Sequence, residues 1–288
     1  MNSCKPQWVP ETSCARLRIV GVLGDLIRRV SMRAGYYPLN LRYEIGTGFM
    51  LQFHLAELLK KLRINCVFDV GANVGQYALM LRRNRYRGYI FSFEPVTTTF
   101  ASLQEAARGD EKWKPFKVAL GASPGVAQIN VTSLSALNSF RRPGQLWNQI
   151  LPNISVVDKE NVDVRTLDDV FPELTTGIEQ CRPFLKLDTQ GFDLEVVKGA
   201  QNCIGKMLGL QSELAVRQLY EAAPSYLDAL TYYTSLGFTP KDFYTVASDG
   251  TDMTALEVDC VMVRASSANP CSESTQRLKE KPIVTPSL

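Results

Sequence analysis

The chain has 288 residues and a formal net charge of +3, enough length for one large α/β domain with appended segments. So small a charge on that length, without a basic run interleaved with aromatics, gives no electrostatic footprint for nucleic acid, and apolar and charged fractions of 45% and 21% belong to a folded globular chain. Seven cysteines without a Cys-x-x-Cys pair read as reduced structural thiols of a cytoplasmic protein, not as a disulfide framework or a metal site.

The opening MNSCKPQWVPETSCARLR lacks the charged start, apolar centre and small-residue cleavage site of a secretory signal. LRIVGVLGDLIRRV is interrupted by Asp25, Arg28 and Arg29 and is too short to span a bilayer. Residues 1–48 are therefore assigned to an N-terminal segment, partly disordered, that forms a helical cap; its Tyr36, Tyr37 and Tyr43 are candidates for substrate contact. In FMLQFHLAELLKKL the only histidine, His54, lies among Phe53, Leu55, Leu58 and Leu59, the setting of a packed or surface histidine.

From about residue 65 onward, strand-like and helix-like runs alternate. INCVFDV, GYIFSF, PFKVAL, PFLKLD and MLGLQSEL read as strands, and helices begin near Val74, Val96, Phe192 and Ala223. That order predicts βαβ units in a doubly wound, mostly parallel sheet with helices on both faces. In CVFDVGANVGQYALMLRR an apolar strand ends on Asp69 and turns through Gly71, Asn73 and Gly75 into a helix. In such sheets ligands sit outside the carboxyl ends of the strands. Gly71 permits the sharp turn, Gly75 permits close approach of ligand or sheet, and the free N–H groups of the first helical turn favour an anion.

Asn73 stands where a dinucleotide fingerprint needs glycine, and no Gly-Lys-Ser/Thr ending follows. An ammonium near Asp69 with a carboxylate on the backbone N–H groups suits the site better. Glu94, ending GYIFSFEP, stands where an acid would hold a ribose diol. An amino-acid end at the first strand and a ribose at the second together describe S-adenosylmethionine.

The block 121–182 lies between two sheet strands and is too long for a simple crossover. It contains AQINVT, the Ser-rich TSLSALNSFRRPG and the helix-like RTLDDVF, and is read as an insertion over the ligand-binding edge. Asp188 ends the PFLKLD strand and Glu213 the next, on the same edge; partial burial there would raise a carboxyl towards the range useful for a base. Asp193 and Glu195 read as charges on a helix surface. GFTPKDFYTVAS and ALEVDCVMVR, split by SDGTDMT, predict a terminal antiparallel hairpin, and the polar residues 266–288 a disordered tail.

FDVGANVGQY, FSFEP, VRTLDDVF, FLKLDTQGFDLEVVKGA, QSELAV followed by LYEAAPSYLDAL, then LGF and VDCVMVR occur in an order that resembles the FkbM family of S-adenosylmethionine-dependent methyltransferases, over roughly residues 60 to 264. The resemblance implies a Rossmann-like class I methyltransferase fold with a seven-stranded sheet, over about residues 49–265. It also implies O-methylation of a hydroxyl on a sugar, glycan or secondary metabolite. Carried over by position, Asp69, Gly71, Asn73 and Gly75 fall on the methionine-binding turn, Glu94 on the ribose acid, and Asp188 beside the transferred methyl; Gln190 departs from the Glu of many relatives. Asp188 is expected to accept or orient the substrate proton and Glu213 to support or bind substrate, with no metal. The rival readings are a catalytically idle cofactor-binding scaffold and a nicotinamide-dependent oxidoreductase.

Overall fold

The computed structural model describes residues 43–265, with side chains from Gly48 onward; residues 1–42 of the expected capping segment, with Tyr36 and Tyr37, and the tail expected over 266–288 lie outside the described residues, and Tyr43 begins the first described helix. The chain divides into units 1–49 and 50–288, and every strand among the described residues belongs to the second. After α1 (Tyr43–Lys61) come β1 (Cys66–Val70), α2 (Gln76–Arg83), β2 (Tyr89–Phe93), α3 (Thr97–Ala106) and β3 (Trp113–Phe116). Next comes β4 (Ala119–Leu120), and the block 121–182 then holds β5 (Gly125–Thr132), the short α4 (Trp147–Ile150), β6 (Val156–Arg165) and α5 (Leu167–Thr175). The chain then continues through β7 (Pro183–Leu187), α6 (Asp193–Lys198), β8 (Gly209–Ala215), α7 (Tyr226–Ser235), β9 (Phe238–Ser248) and β10 (Ala255–Arg264).

Seven strands form one sheet in the order β3-β2-β1-β7-β8-β10-β9. Pairing is parallel from β3 to β8, while β10 runs antiparallel to both β8 and β9. Every residue of β1 and β7 is buried, and strands covered on both faces are accordingly apolar except for Asp69 and Lys186, which pair with each other. Phe68, Phe91 and Leu185 pack with Phe171 of α5, Val196 of α6 and Tyr233 of α7 on one face. Val67, Ile90 and Phe184 pack with Leu55 of α1, Ala78 of α2 and Leu103 of α3 on the other. Each such side chain contributes about 1.5–3 kcal/mol by leaving water, so the alternation of side chains along a strand decides which helix covers which face.

PFKVAL, expected as one strand, is divided. Trp113–Phe116 belongs to the main sheet, whereas Ala119 and Leu120 pair with Val164 and Arg165 in a second, three-stranded sheet of order β4-β6-β5. β6 escaped detection because its apolar residues alternate with charges and most of it is exposed. Ala119, Ile129 and Val162 close a small core with Val96 at the start of α3. The switch point of the main sheet lies at β1, which has β2 on one side and β7 on the other, and there the strand ends leave a crevice.

Candidate active site

A cavity of about 330 Å³ opens at the carboxyl ends of β1, β2, β7 and β8, bordered by Gly71, Asn73, Glu94, Asp188, Gln190 and Glu213. The turn after β1 is built by left-handed residues, with φ 74° at Gly71, 48° at Asn73 and 89° at Gly75. A Cβ on Gly71 would lie 1.8 Å from the carbonyl oxygen of Asp188, and one on Gly75 would lie 2.8 Å from the Trp113 ring. Gly71 thus lets the ends of β1 and β7 meet, and Gly75 lets α2 sit on β3. The close approach at Gly75 is made by the sheet, and Gly75 does not border the cavity.

Glu94 receives the N–H of Asn73 on Oε2 at 3.1 Å and that of Val96 on Oε1 at 3.0 Å. The carboxylate so ties the β1 turn to the end of β2, and each oxygen retains a lone pair. Burial, opposed by these two hydrogen bonds, pushes it up to about 7.

Asp69 is fully buried and does not border the cavity. It accepts a hydrogen bond from Ser92 Oγ at 2.9 Å and lies 3.1 Å from Lys186 Nζ, its lateral neighbour in the β1–β7 register. The positive charge that its position attracts is therefore the lysine of the next strand. Lys186 also donates to the Gly71 carbonyl at 3.0 Å and lies 3.5 Å from Asp188. Burial alone would lower the ammonium, yet Asp69 and then Asp188 hold it above the ordinary lysine value. A lysine inside the otherwise apolar PFLKL was the sequence signal for this ion pair.

At the far end, Gln190 Nε2 donates to Asp188 Oδ1 at 3.1 Å and to Glu213 Oε2 at 2.6 Å, while Tyr220 Oη donates to Gln190 Oε1 at 2.8 Å. One amide thereby holds two carboxylates that would otherwise repel. Burial first, then the neighbouring Glu257, raises Glu213 well above its ordinary value. Glu257 of β10, which sequence reasoning passed over, also borders the cavity; an acid within the apolar ALEVDCVMVR was the available clue.

The Ser-rich stretch after β5 forms a wall. Ser135 Oγ donates to Asn73 Oδ1 at 3.0 Å and Ser139 Oγ to the Gln190 carbonyl at 2.8 Å, and the Leu137 carbonyl lies 3.2 Å from Tyr220 Oη as a second acceptor for its one proton. Arg141 is turned away, its Nε on the Gly191 carbonyl. Asp193 is not the surface charge expected from helical spacing. It is buried, accepting from Thr189 N at 2.9 Å and Ser212 Oγ at 2.6 Å, because the turn before α6 needs an acceptor for its free N–H. His54 meets Tyr244 Oη at 2.7 Å and is not among the cavity's lining residues.

A family model described as the methyltransferase FkbM domain matches residues 69–240. No curated protein matches the chain. Similar solved structures include magnesium protoporphyrin IX methyltransferase from Synechocystis PCC 6803 with bound SAM, 11% identical, covering 91% of this chain and 100% of that one at a TM-score of 0.42. Fibrillarin from Aeropyrum pernix with bound S-adenosyl-L-methionine is 15% identical, covering 73% and 74% at a TM-score of 0.38. An rRNA methylase from Streptococcus thermophilus is 11% identical, covering 78% and 98% at a TM-score of 0.39.

Proposed function

Since the matched stretch exceeds half its length, the chain belongs to the FkbM methyltransferase family and uses S-adenosylmethionine, and on that premise we propose that it O-methylates a hydroxyl of a sugar, glycan or secondary metabolite. The observation that carries the reading is the meeting of the Gly71 turn, Glu94 and Asp188 around one cavity at the switch point of the sheet. The residues fit the cofactor. Phe93, Leu120 and Phe140 border the same space as Glu94, an apolar setting for adenine beside an acid with free lone pairs for a ribose diol. Gly71 and Asn73 with Asp188 would receive the methionine end. Asp69 and Gly75 serve that end by position, the first holding Lys186 against the Gly71 carbonyl and the second seating α2 on β3.

The cofactor supplies an electrophilic methyl group on a sulfonium. In-line transfer depends chiefly on holding acceptor oxygen and methyl carbon in near-attack geometry, which is the work of the cavity walls. Asp188, fixed by Gln190 and Lys186, orients the acceptor hydroxyl and takes its hydrogen bond. Glu213 holds the remainder of the acceptor. The site of action is assigned to the cytoplasm, a reading supported by the unbridged Cys66, Cys181, Cys203 and Cys260; no helix among the described residues is long and apolar enough to cross a membrane.

Calorimetric titration with S-adenosylmethionine and S-adenosylhomocysteine tests the cofactor site. Wild type is expected to bind both and Glu94→Ala to lose about tenfold or more, as expected when a hydrogen bond to a charged group is removed. Binding unchanged by Glu94→Ala would overturn the ribose role, and selective binding of a nicotinamide cofactor would overturn the function. For the chemistry, Asp188→Asn that binds cofactor yet keeps full methyl transfer from a labelled donor would remove the acid from the reaction.

A further inference from the structure

The cavity is strongly one-sided in charge. Glu94, Asp188, Glu213 and Glu257 border it, and among the described residues no lysine or arginine does. The nearby cation, Lys186, is already engaged by Asp69 and the Gly71 carbonyl as well as Asp188, and both donors of the Gln190 amide are taken by Asp188 and Glu213.

Glu257 stands apart within this group. It is 8% exposed, and no hydrogen bond or ion pair to its carboxylate is found among the described residues. Its backbone position is a built feature, for the register of β10 against β9 slips on both sides of Glu257, and such bulges re-aim a side chain. In the antiparallel β8–β10 register Glu257 faces Ala215 and is the diagonal neighbour of Glu213. Both acids also line a second small pocket that includes Ser212 and Tyr220, so the pair stands between two spaces. A buried carboxylate without a partner is costly, and the cost falls when a ligand brings a positive charge and hydrogen-bond donors.

We propose that Glu257 and Glu213 form an ammonium subsite, and that the acceptor is a hydroxyl compound bearing a protonated amine, an amino sugar being the simplest. This deepens the reading of the cavity given above and rests on it. Asp188, Asp193 and Asp259 add negative potential from the turn after β7, from α6 and from β10, Lys186 is the opposing cation, and Tyr220 is the neighbouring phenol. A hydroxyl offers a single donor to this surplus of acceptor oxygens, whereas an ammonium offers three donors and a charge. A phosphate or carboxylate on the same part of the acceptor would be repelled.

The test is calorimetric titration of the full chain, saturated with S-adenosylhomocysteine, using glucosamine and galactosamine against glucose and galactose. The amino sugars are expected to bind about tenfold or more tightly than their parents, as for a hydrogen bond to a charged group. E257Q should bring them to the level of the parent sugars while binding of S-adenosylhomocysteine is retained. In wild type, carboxyl NMR of Glu257 should show its titration midpoint fall when glucosamine binds, a readout that needs no variant. Equal binding of amino and parent sugars, binding of neither, or an unmoved midpoint would overturn the proposal. So would E257Q that weakens S-adenosylhomocysteine as much as glucosamine, since Glu257 would then serve the cofactor. Failure of the wild type to bind S-adenosylhomocysteine at all is a different result, and refutes the cofactor site instead.

Discussion

Replacing Lys186 by Met removes the cation from beneath the site and leaves Asp69 as an uncompensated buried charge. The lysine side chain is 6% exposed and that of Asp69 0%. At their separation of 3.1 Å two unit charges attract by about 5 kcal/mol at an effective dielectric constant of about 20, and both carry a desolvation cost that offsets part of this. Breaking a buried pair from one side costs about 3–5 kcal/mol, a large share of the roughly 5–15 kcal/mol that stabilises a domain. D69N alone should cost less, because Lys186 keeps Asp188 and the Gly71 carbonyl. Removing both charges in K186M/D69N should recover about 2 kcal/mol or more over K186M, since a buried pair replaced together is often close to neutral. Urea unfolding of the four proteins, with equal m-values as the check on two-state behaviour, gives the coupling directly. A K186M cost below about 1 kcal/mol, or strict additivity in the double variant, would refute the role of this pair in setting the glycine turn.

The buried acids make stability depend on pH in an unusual direction. Glu94, Glu257 and Asp259 are each held up to about 7, chiefly by burial, against 4.5, 4.5 and 3.8 for the free groups. The folded state thus binds their protons more tightly than the unfolded chain, so this stability is full below about pH 4 and is lost as pH rises through about 7. Unfolding free energy of the ligand-free protein should fall between about pH 5 and pH 8, and E94Q should flatten the slope; a rise across that window would contradict the burial of these groups. Q190E puts a further carboxylate between Asp188 and Glu213 and removes the donor they share. Its melting temperature should drop more at pH 8 than at pH 5, and an equal drop at both would show that charge repulsion is not what the amide relieves.

Much of the fold was legible in the residues because a two-sided sheet leaves few options. Apart from the paired Asp69 and Lys186, CVFDV and PFLKL are apolar because every residue of β1 and β7 is covered, and the Asp69-to-Gly75 turn can only be a strand end entering a helix. The Asp193 and Glu195 charges misled in part, since helical spacing gives a residue's direction on its own helix and says nothing about a turn that needs an acceptor. Asp193 is consumed by Thr189 and Ser212, while Glu195 takes the surface pairing with Lys198.

Gly71, Asn73, Glu94, Asp188 and Glu213 could be named from one dimension because each follows a strand or, like Glu213 two residues inside β8, lies near its carboxyl end, and strand ends in a parallel sheet gather on one edge. What each side chain then faces was decided only in three dimensions. Asp69 lies one residue from the end of β1, and the alternation of a strand turns it to the face opposite Val70, where Lys186 meets it. Glu257 arrives from the last strand of the chain, antiparallel and bulged, and enters the cavity because β10 inserts between β8 and β9. The sequence by itself determined the kind of sheet and the chemistry along its edge, since burial and turn geometry act locally. Which acids share a cation, which share an amide and which is left without either was decided by tertiary structure, because charge interactions depend on distances that only the packed sheet sets.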